Sequence, residues 1–254
     1  MKLLRESFSA VSARFHLVGV YALVALVVRF AQHWTGDDPA GFPLLAGALM
    51  LYIGANSGIF GLLFQAAMAP REQISFLRWS AALFFPIFWL LFKIGMLQLS
   101  LIVLVAVAHQ TLSGASLSTS LETVIYAGRP FFDLVSQVLA LYSVPLCILS
   151  RVRREWRPVI RQGFGLFRAC PSESRRLLLL VVALTALESA LRFALGRGSE
   201  KAPPGVLEGL VTLASAYLSL AVFYGATRVV LARFATGSRE VLPGADPAAP
   251  GPRS

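Results

Sequence analysis

Long apolar runs alternate with arginine clusters along this chain, and that alternation constrains its fold more than any other feature. A helix crossing a hydrocarbon core of ~30 Å needs about 20 mostly apolar residues, with a lower limit near 17. Six segments meet that length: 15–31, 42–68, 81–108, 130–149, 177–196 and 206–226. In lipid every backbone N–H and C=O must be satisfied within the segment, so runs of this length are expected as helices. The expected fold is therefore all-α, a polytopic bundle of six transmembrane helices. The second and third runs exceed a single crossing, so they are expected to tilt, kink or extend beyond the bilayer. Pro86 and the Gly54–Gly58 region are the expected kink points, and Pro145 interrupts the fourth run.

Composition agrees. Of 254 residues, 56% are hydrophobic and only 14% are charged, against about 25% charged in soluble domains. The mean hydropathy is +0.69. One membrane domain, 1–241, accounts for almost the whole chain. The remainder, 242–254, is rich in Pro, Gly and Ala and is expected to be disordered, because it has too little apolar surface to bury. The run at 15–31 follows a polar, basic start. It is too long for a signal-peptide core and no small-residue cleavage site follows, so it is expected as a retained span. A net charge of +10 raises the question of nucleic acid. The basic residues, however, sit between apolar runs and form no aromatic-interleaved patch, so membrane topology accounts for them and nucleic acid is excluded as a partner.

Threading six spans through a bilayer sorts the cations sharply. Lys2, Arg5, Arg14, Arg71 and Arg78 fall on one side. So do Arg151, Arg153, Arg154, Arg157, Arg161, Arg168, Arg175 and Arg176, and then Arg228, Arg233, Arg239 and Arg253. Arg129, Arg197 and Lys201 fall on the other, while Arg29, Lys93 and Arg192 lie within spans. The positive-inside rule then places both termini in the cytoplasm of a bacterium whose inner membrane holds the protein. Asp37 and Asp38 fall in the first external loop, and Trp34, Trp79 and Trp156 near interfaces, where indoles prefer to sit.

Between the fourth and fifth spans, residues 156–170 read as an amphipathic helix. Trp156, Val159, Ile160, Gly163, Phe164, Phe167 and Cys170 share one face; Arg157, Arg161, Gln162 and Arg168 share the other. Such a helix lies in the headgroup plane with its arginines toward anionic phospholipid headgroups. It either senses lipid or docks a partner, or simply connects two spans. Residues 71–82 show a weaker version of the same pattern and read equally well as the start of a tilted span.

Charges inside spans are costly and are functional candidates by default. Lys93 lies twelve residues into the third span and Glu188 eleven into the fifth. Both spans enter from the cytoplasm, so the two charges reach similar depth and are expected to pair across helices. The alternative is Glu188 with Arg192, one turn away on the same helix. Gly54 and Gly58 form a GxxxG step suited to close helix packing, with Asn56 able to hydrogen-bond across it. His16, His33 and His109 have no carboxylate or thiol at ligand spacing, and Cys147 and Cys170 form no CxxC. No metal or cofactor site and no catalytic residue is expected: the chain has no Walker loop, no GxGxxG, no GxSxG and no Ser/His/Asp arrangement.

Two stretches carry a family resemblance: residues 63–83 (LFQAAMAPREQISFLRWSAAL) and 143–177 (SVPLCILSRVRREWRPVIRQGFGLFRACPSESRRL). Both resemble six-span bacterial membrane proteins, a group that includes the membrane domain attached to some glycerophosphodiester phosphodiesterases and its stand-alone relatives. In that group a short helix precedes span three. A later span ends in a basic turn, matched here by Arg151-Val152-Arg153-Arg154. An amphipathic helix follows with an aromatic near its middle, matched by Gly163-Phe164, and then a break, where Cys170-Pro171 replaces the usual glycine. The resemblance implies no activity, since that membrane domain is not the catalytic part. Residues 69–78 are also similar to the cytoplasmic coupling segment of ABC-type exporter permeases, although the long basic loop at 151–176 departs from that pattern. The expected function is thus a non-enzymatic scaffold or accessory subunit bound to another membrane protein. The alternative is a transport permease working with an ATPase subunit.

Overall fold

The computed structural model describes residues 2–35, 41–68, 74–155, 158–195 and 205–234, with side chains as far as Ala190 in the fourth of these stretches. Residues 242–254, Asp37, Asp38, Arg71, Trp156 and Arg157 lie outside the described residues, as does the side chain of Arg192. Among the described residues there are eight helices and no strand: α1 (Lys2–Ser12), α2 (Phe15–Thr35), α3 (Phe42–Met68), α4 (Phe76–Ser113), α5 (Leu117–Arg153), α6 (Val159–Ala169), α7 (Pro171–Leu195) and α8 (Val206–Phe234). Five of them, α2, α3, α4, α5 and α8, are long and apolar enough to cross a membrane. The expected span at 177–196 coincides with α7, whose first turns carry Glu173, Arg175 and Arg176.

Local chemistry sets the boundaries. Ser75 caps α4 by accepting from the Arg78 N–H, and Ser116 caps α5 by accepting from the Thr119 N–H. Gly114, at φ 69°, takes the left-handed conformation that ends α4, and its N–H donates to the Gln110 carbonyl. Arg151 and Arg153 sit in the last turn of α5, where cations suit the helix dipole. Only Ala13 and Arg14 separate α1 from α2.

Three expectations change here. The start of the chain is itself a helix, α1, which packs on α8 with Ser7 and Val11 buried. The separate short helix that the resemblance implies before the third span is absent from 76 onward: residues from Phe76 begin α4, which is the alternative reading of 71–82, and α4 runs unbroken through Pro86. Finally, α4 and α5 outrun the spans expected at 81–108 and 130–149; at 38 and 37 residues each is about 55 Å long.

The main core gathers Ile59, Leu63 and Phe64 of α3, Leu83 and Ile87 of α4, Tyr142, Leu146 and Leu149 of α5, and Leu220 of α8. Phe60 stacks on Phe223 with ring centroids 4.4 Å apart, joining α3 to α8. The α3–α4 register follows from three close approaches: Gly61 faces Trp79, Gly58 faces Phe76 and Ser80, and Gly54 faces Phe84. α3 begins twelve residues before Gly54, so it ends beside the region of Met96. Beyond that point α4 has α5 for company, joined by Ser136 donating to Gln98 at 2.7 Å and by His109 and Ser120 at 3.1 Å. Ala106, Val124 and Phe132 form a separate small core there. The α4–α5 hairpin therefore projects past α3.

Candidate functional site

Helix packing in lipid depends on shape, since lipid tails are as apolar as leucine and give helices little reason to associate. The α3–α4 seam shows this. A methyl group at Gly61 would lie 2.6 Å from the Trp79 ring, and one at Gly58 would collide with Phe76 and Ser80. At Gly54 the nearest ring atom is 3.7 Å away, ordinary contact. The tight pair is thus Gly58 and Gly61 rather than Gly54 and Gly58. Trp79 is 3% exposed, packed within the chain. Its indole N–H donates to Gln65 Oε1 at 2.9 Å. Asn56 is buried, and among the described residues its Oδ1 has no hydrogen-bond partner.

Lys93 and Glu188 occupy different neighbourhoods. Lys93 lies on the exposed side of α4 with its ammonium 5.5 Å over the Trp89 ring, and Cys147 of α5 is within its electrostatic reach. Glu188 is half-buried on α7, within electrostatic reach of Tyr21 on α2. α5 is the helix on which both α4 and α7 pack. The Gln98–Ser136 bond fixes the depth of Lys93. Ser136 lies six residues into the apolar stretch 130–149 of α5, and Lys93 lies five residues, about 7.5 Å, nearer the arginine-rich end than Gln98. Lys93 thus sits close to the middle of the apolar layer.

Its surroundings on α4 are regular. Phe85, Trp89, Phe92, Met96, Leu99 and Val103 are all exposed and recur at spacings of four, three, four, three and four. That is the seam pattern by which one helix meets another. Lys93 borders this stripe.

One ion pair was not anticipated from the sequence. Arg29 of α2 donates to Glu208 in the first turn of α8, and both side chains are partly buried. On the same face of α8 follow Thr212 and Ser215, buried, with hydroxyls that lack partners among the described residues. Nearby, Tyr21 and Tyr52 share a hydrogen bond of 3.1 Å. The signal was available: Arg29 lies near the outer end of its span, and Glu208 two residues into the sixth. Matching depth, applied to Lys93 and Glu188, would have found this pair as well.

α6 packs on α5, with Phe167 meeting Tyr142 edge-on at 5.0 Å. Gly163 and Leu166 are buried, while Arg161 and Arg168 are exposed. Phe164, expected to face lipid, is 52% exposed, and Leu166, not singled out in the sequence, is buried. Among the described residues no three His, Cys, Asp or Glu side chains gather as a metal site would require.

No family model matches this chain, and neither a curated protein nor a solved structure is similar to it.

Proposed function

We propose that this chain is a non-enzymatic accessory or scaffold subunit of a bacterial inner membrane, and that the exposed stripe of α4 receives a helix of a partner membrane protein. In this reading α7 is the sixth span and both termini are cytoplasmic. α6 lies along the cytoplasmic headgroups, with Arg161 and Arg168 toward anionic lipid. The same topology belongs to the six-span group that residues 63–83 and 143–177 resemble.

The observation that carries the reading is Lys93, exposed at mid-depth. Lipid covers an apolar stripe readily, but it solvates a central ammonium poorly, at a cost of about 2.5–3.5 kcal/mol on insertion scales. The Trp89 face offsets part of this. A carboxylate on a partner helix at the same depth would offset the rest. The expected partner therefore has a long apolar helix with a central Asp or Glu.

The test is purification of the tagged protein from its native membrane in mild detergent, followed by mass spectrometry. A stoichiometric membrane protein that is lost from Lys93→Leu supports the reading. A partner retained equally by that variant removes α4 as the docking face.

A transport permease with an ATPase subunit is the second reading, favoured by the buried hydroxyls of Thr212 and Ser215 below the Arg29–Glu208 pair. It requires water along that face. Ser215→Cys would then react with a membrane-impermeant maleimide; under the accessory reading it stays unreactive.

A further inference from the structure

The end of the bundle that carries most of the arginines has a cleft that neither the accessory nor the permease reading uses. It lies between α1 and α8 and has a volume of about 600 Å³. Lys2, Arg5 and Arg228 line it, with Glu6, Ser9 and Tyr224. Three cations face one carboxylate. That carboxylate only loosely engages its neighbour, at 3.9 Å from Arg228 Nη2. Arg228 is already positioned by its other nitrogen, which donates to the Ala67 carbonyl at 3.3 Å, near the C-terminal end of α3. The Ser9 and Tyr224 hydroxyls add neutral donors, and Ala10 and Ala13 leave the floor open because their side chains are short.

We propose that this cleft binds a phosphate-bearing anion, and that its source is the headgroup of an anionic phospholipid in the adjacent leaflet. Phosphate accepts several hydrogen bonds at once, and arginine forks suit it. The position favours a lipid over a soluble phosphate. α1 buries Leu3, Leu4, Phe8 and Val11 against the core, and only two residues separate it from the start of α2. The cleft is thus held at the level where a span leaves the bilayer. A headgroup seated there would tie α1 to α8 through charge, in addition to the Phe8–Tyr217 stacking at 5.8 Å.

The experiment uses the full chain in nanodiscs of phosphatidylcholine alone or mixed with phosphatidylglycerol, released into detergent for native mass spectrometry. Wild type is expected to retain one phosphatidylglycerol. The double variant Lys2→Gln/Arg5→Gln loses two surface cations and should hold it roughly thirtyfold more weakly. Arg161→Gln/Arg168→Gln, on α6, should retain it as wild type does. Arg5→Lys, which keeps the charge, should restore most of the binding and so separate a lost site from a misfolded α1. Inorganic phosphate, added as competitor, separates the sources. If it fails to displace the lipid, the headgroup is the ligand. If no lipid is retained but phosphate raises the melting temperature of wild type and not of the α1 double variant, the phosphate chemistry stands and the source is soluble. Retention that is equal in wild type and in Lys2→Gln/Arg5→Gln, with no effect of phosphate on either, overturns the proposal.

Discussion

The α3–α4 seam and the exposed stripe of α4 lie on opposite sides of the same helix, yet they solve opposite problems. At the seam, glycine permits an indole to lie against a neighbouring backbone, and the one polar atom of that indole is matched by Gln65. On the stripe, large side chains stand free: Phe85 is 68% exposed and Leu99 53%. The seam holds a neutral, close-packed contact in which the indole N–H is matched, although Asn56 Oδ1, Gln65 Nε2 and Ser80 Oγ lack partners among the described residues, whereas the stripe borders a central ammonium whose neighbour is a ring face. In lipid, apolar area alone gives no preference between the two sides. What distinguishes them is how closely atoms fit and whether charges are answered. The first side is packed within the chain; under the proposed accessory reading the second is completed by another molecule.

Substitution with alanine should separate the two sides most clearly. Gly61→Ala forces a methyl group to within 2.6 Å of Trp79. Overpacking of that kind should cost about 1–3 kcal/mol and lower the thermal midpoint in detergent. Gly95→Ala, on α4 with nothing within 4 Å, should leave that midpoint unchanged or raise it slightly through better helix propensity. Equal losses at both positions would break the comparison.

The next effect concerns charges. Arg29→Gln leaves Glu208 partly buried without its cation and should destabilise the chain by about 1–2 kcal/mol, less than a fully buried pair would lose. Adding Glu208→Gln should recover part of that loss in a double-mutant cycle. Lys93→Leu should do the reverse: the isolated chain keeps or gains stability, and the loss appears in complex formation.

The smallest effect sharpens the boundary of the bundle. Glu173, in the first turn of α7, accepts from the Ser172 hydroxyl at 2.7 Å. That bond, then a backbone N–H and the nearby Arg176, hold its carboxyl below the usual 4.5. A lowered folded value stabilises the protein above the ordinary carboxylate range, and the benefit is lost as pH falls through the lowered value. Glu173→Gln should therefore flatten the acid limb of the melting temperature against pH. The group is almost fully exposed, so the change is expected to be small.

Much of the fold was legible because apolar length and arginine clusters are long-range patterns. The run at 42–68 coincides with α3, and 15–31 and 206–226 begin where α2 and α8 begin. α1 was missed because its apolar residues are few and its composition reads as a polar leader. α4 and α5 were read short because hydropathy marks what lipid tolerates, not where a helix stops; Ser75, Gly114 and Ser116 set those ends. At the candidate sites, depth was readable and azimuth was not. Lys93 lies over the Trp89 ring and Glu188 within electrostatic reach of Tyr21, whereas Arg29 and Glu208 meet. Leu166 was missed for the same reason, since a helical wheel gives a face but not which edge of it a neighbour covers.

The most direct measurement is site-specific photocrosslinking in the native membrane. A photoreactive side chain placed at Phe92 or Met96, on the stripe, is expected to capture one membrane protein with a central acidic residue in its apolar helix. The yield should collapse when Lys93→Leu is added. The same probe at Leu83 or Ile87, both fully buried, should react only within the chain. Capture of lipid alone from Phe92 and Met96, unchanged by Lys93→Leu, would contradict the account and leave α4 as an ordinary lipid-facing helix.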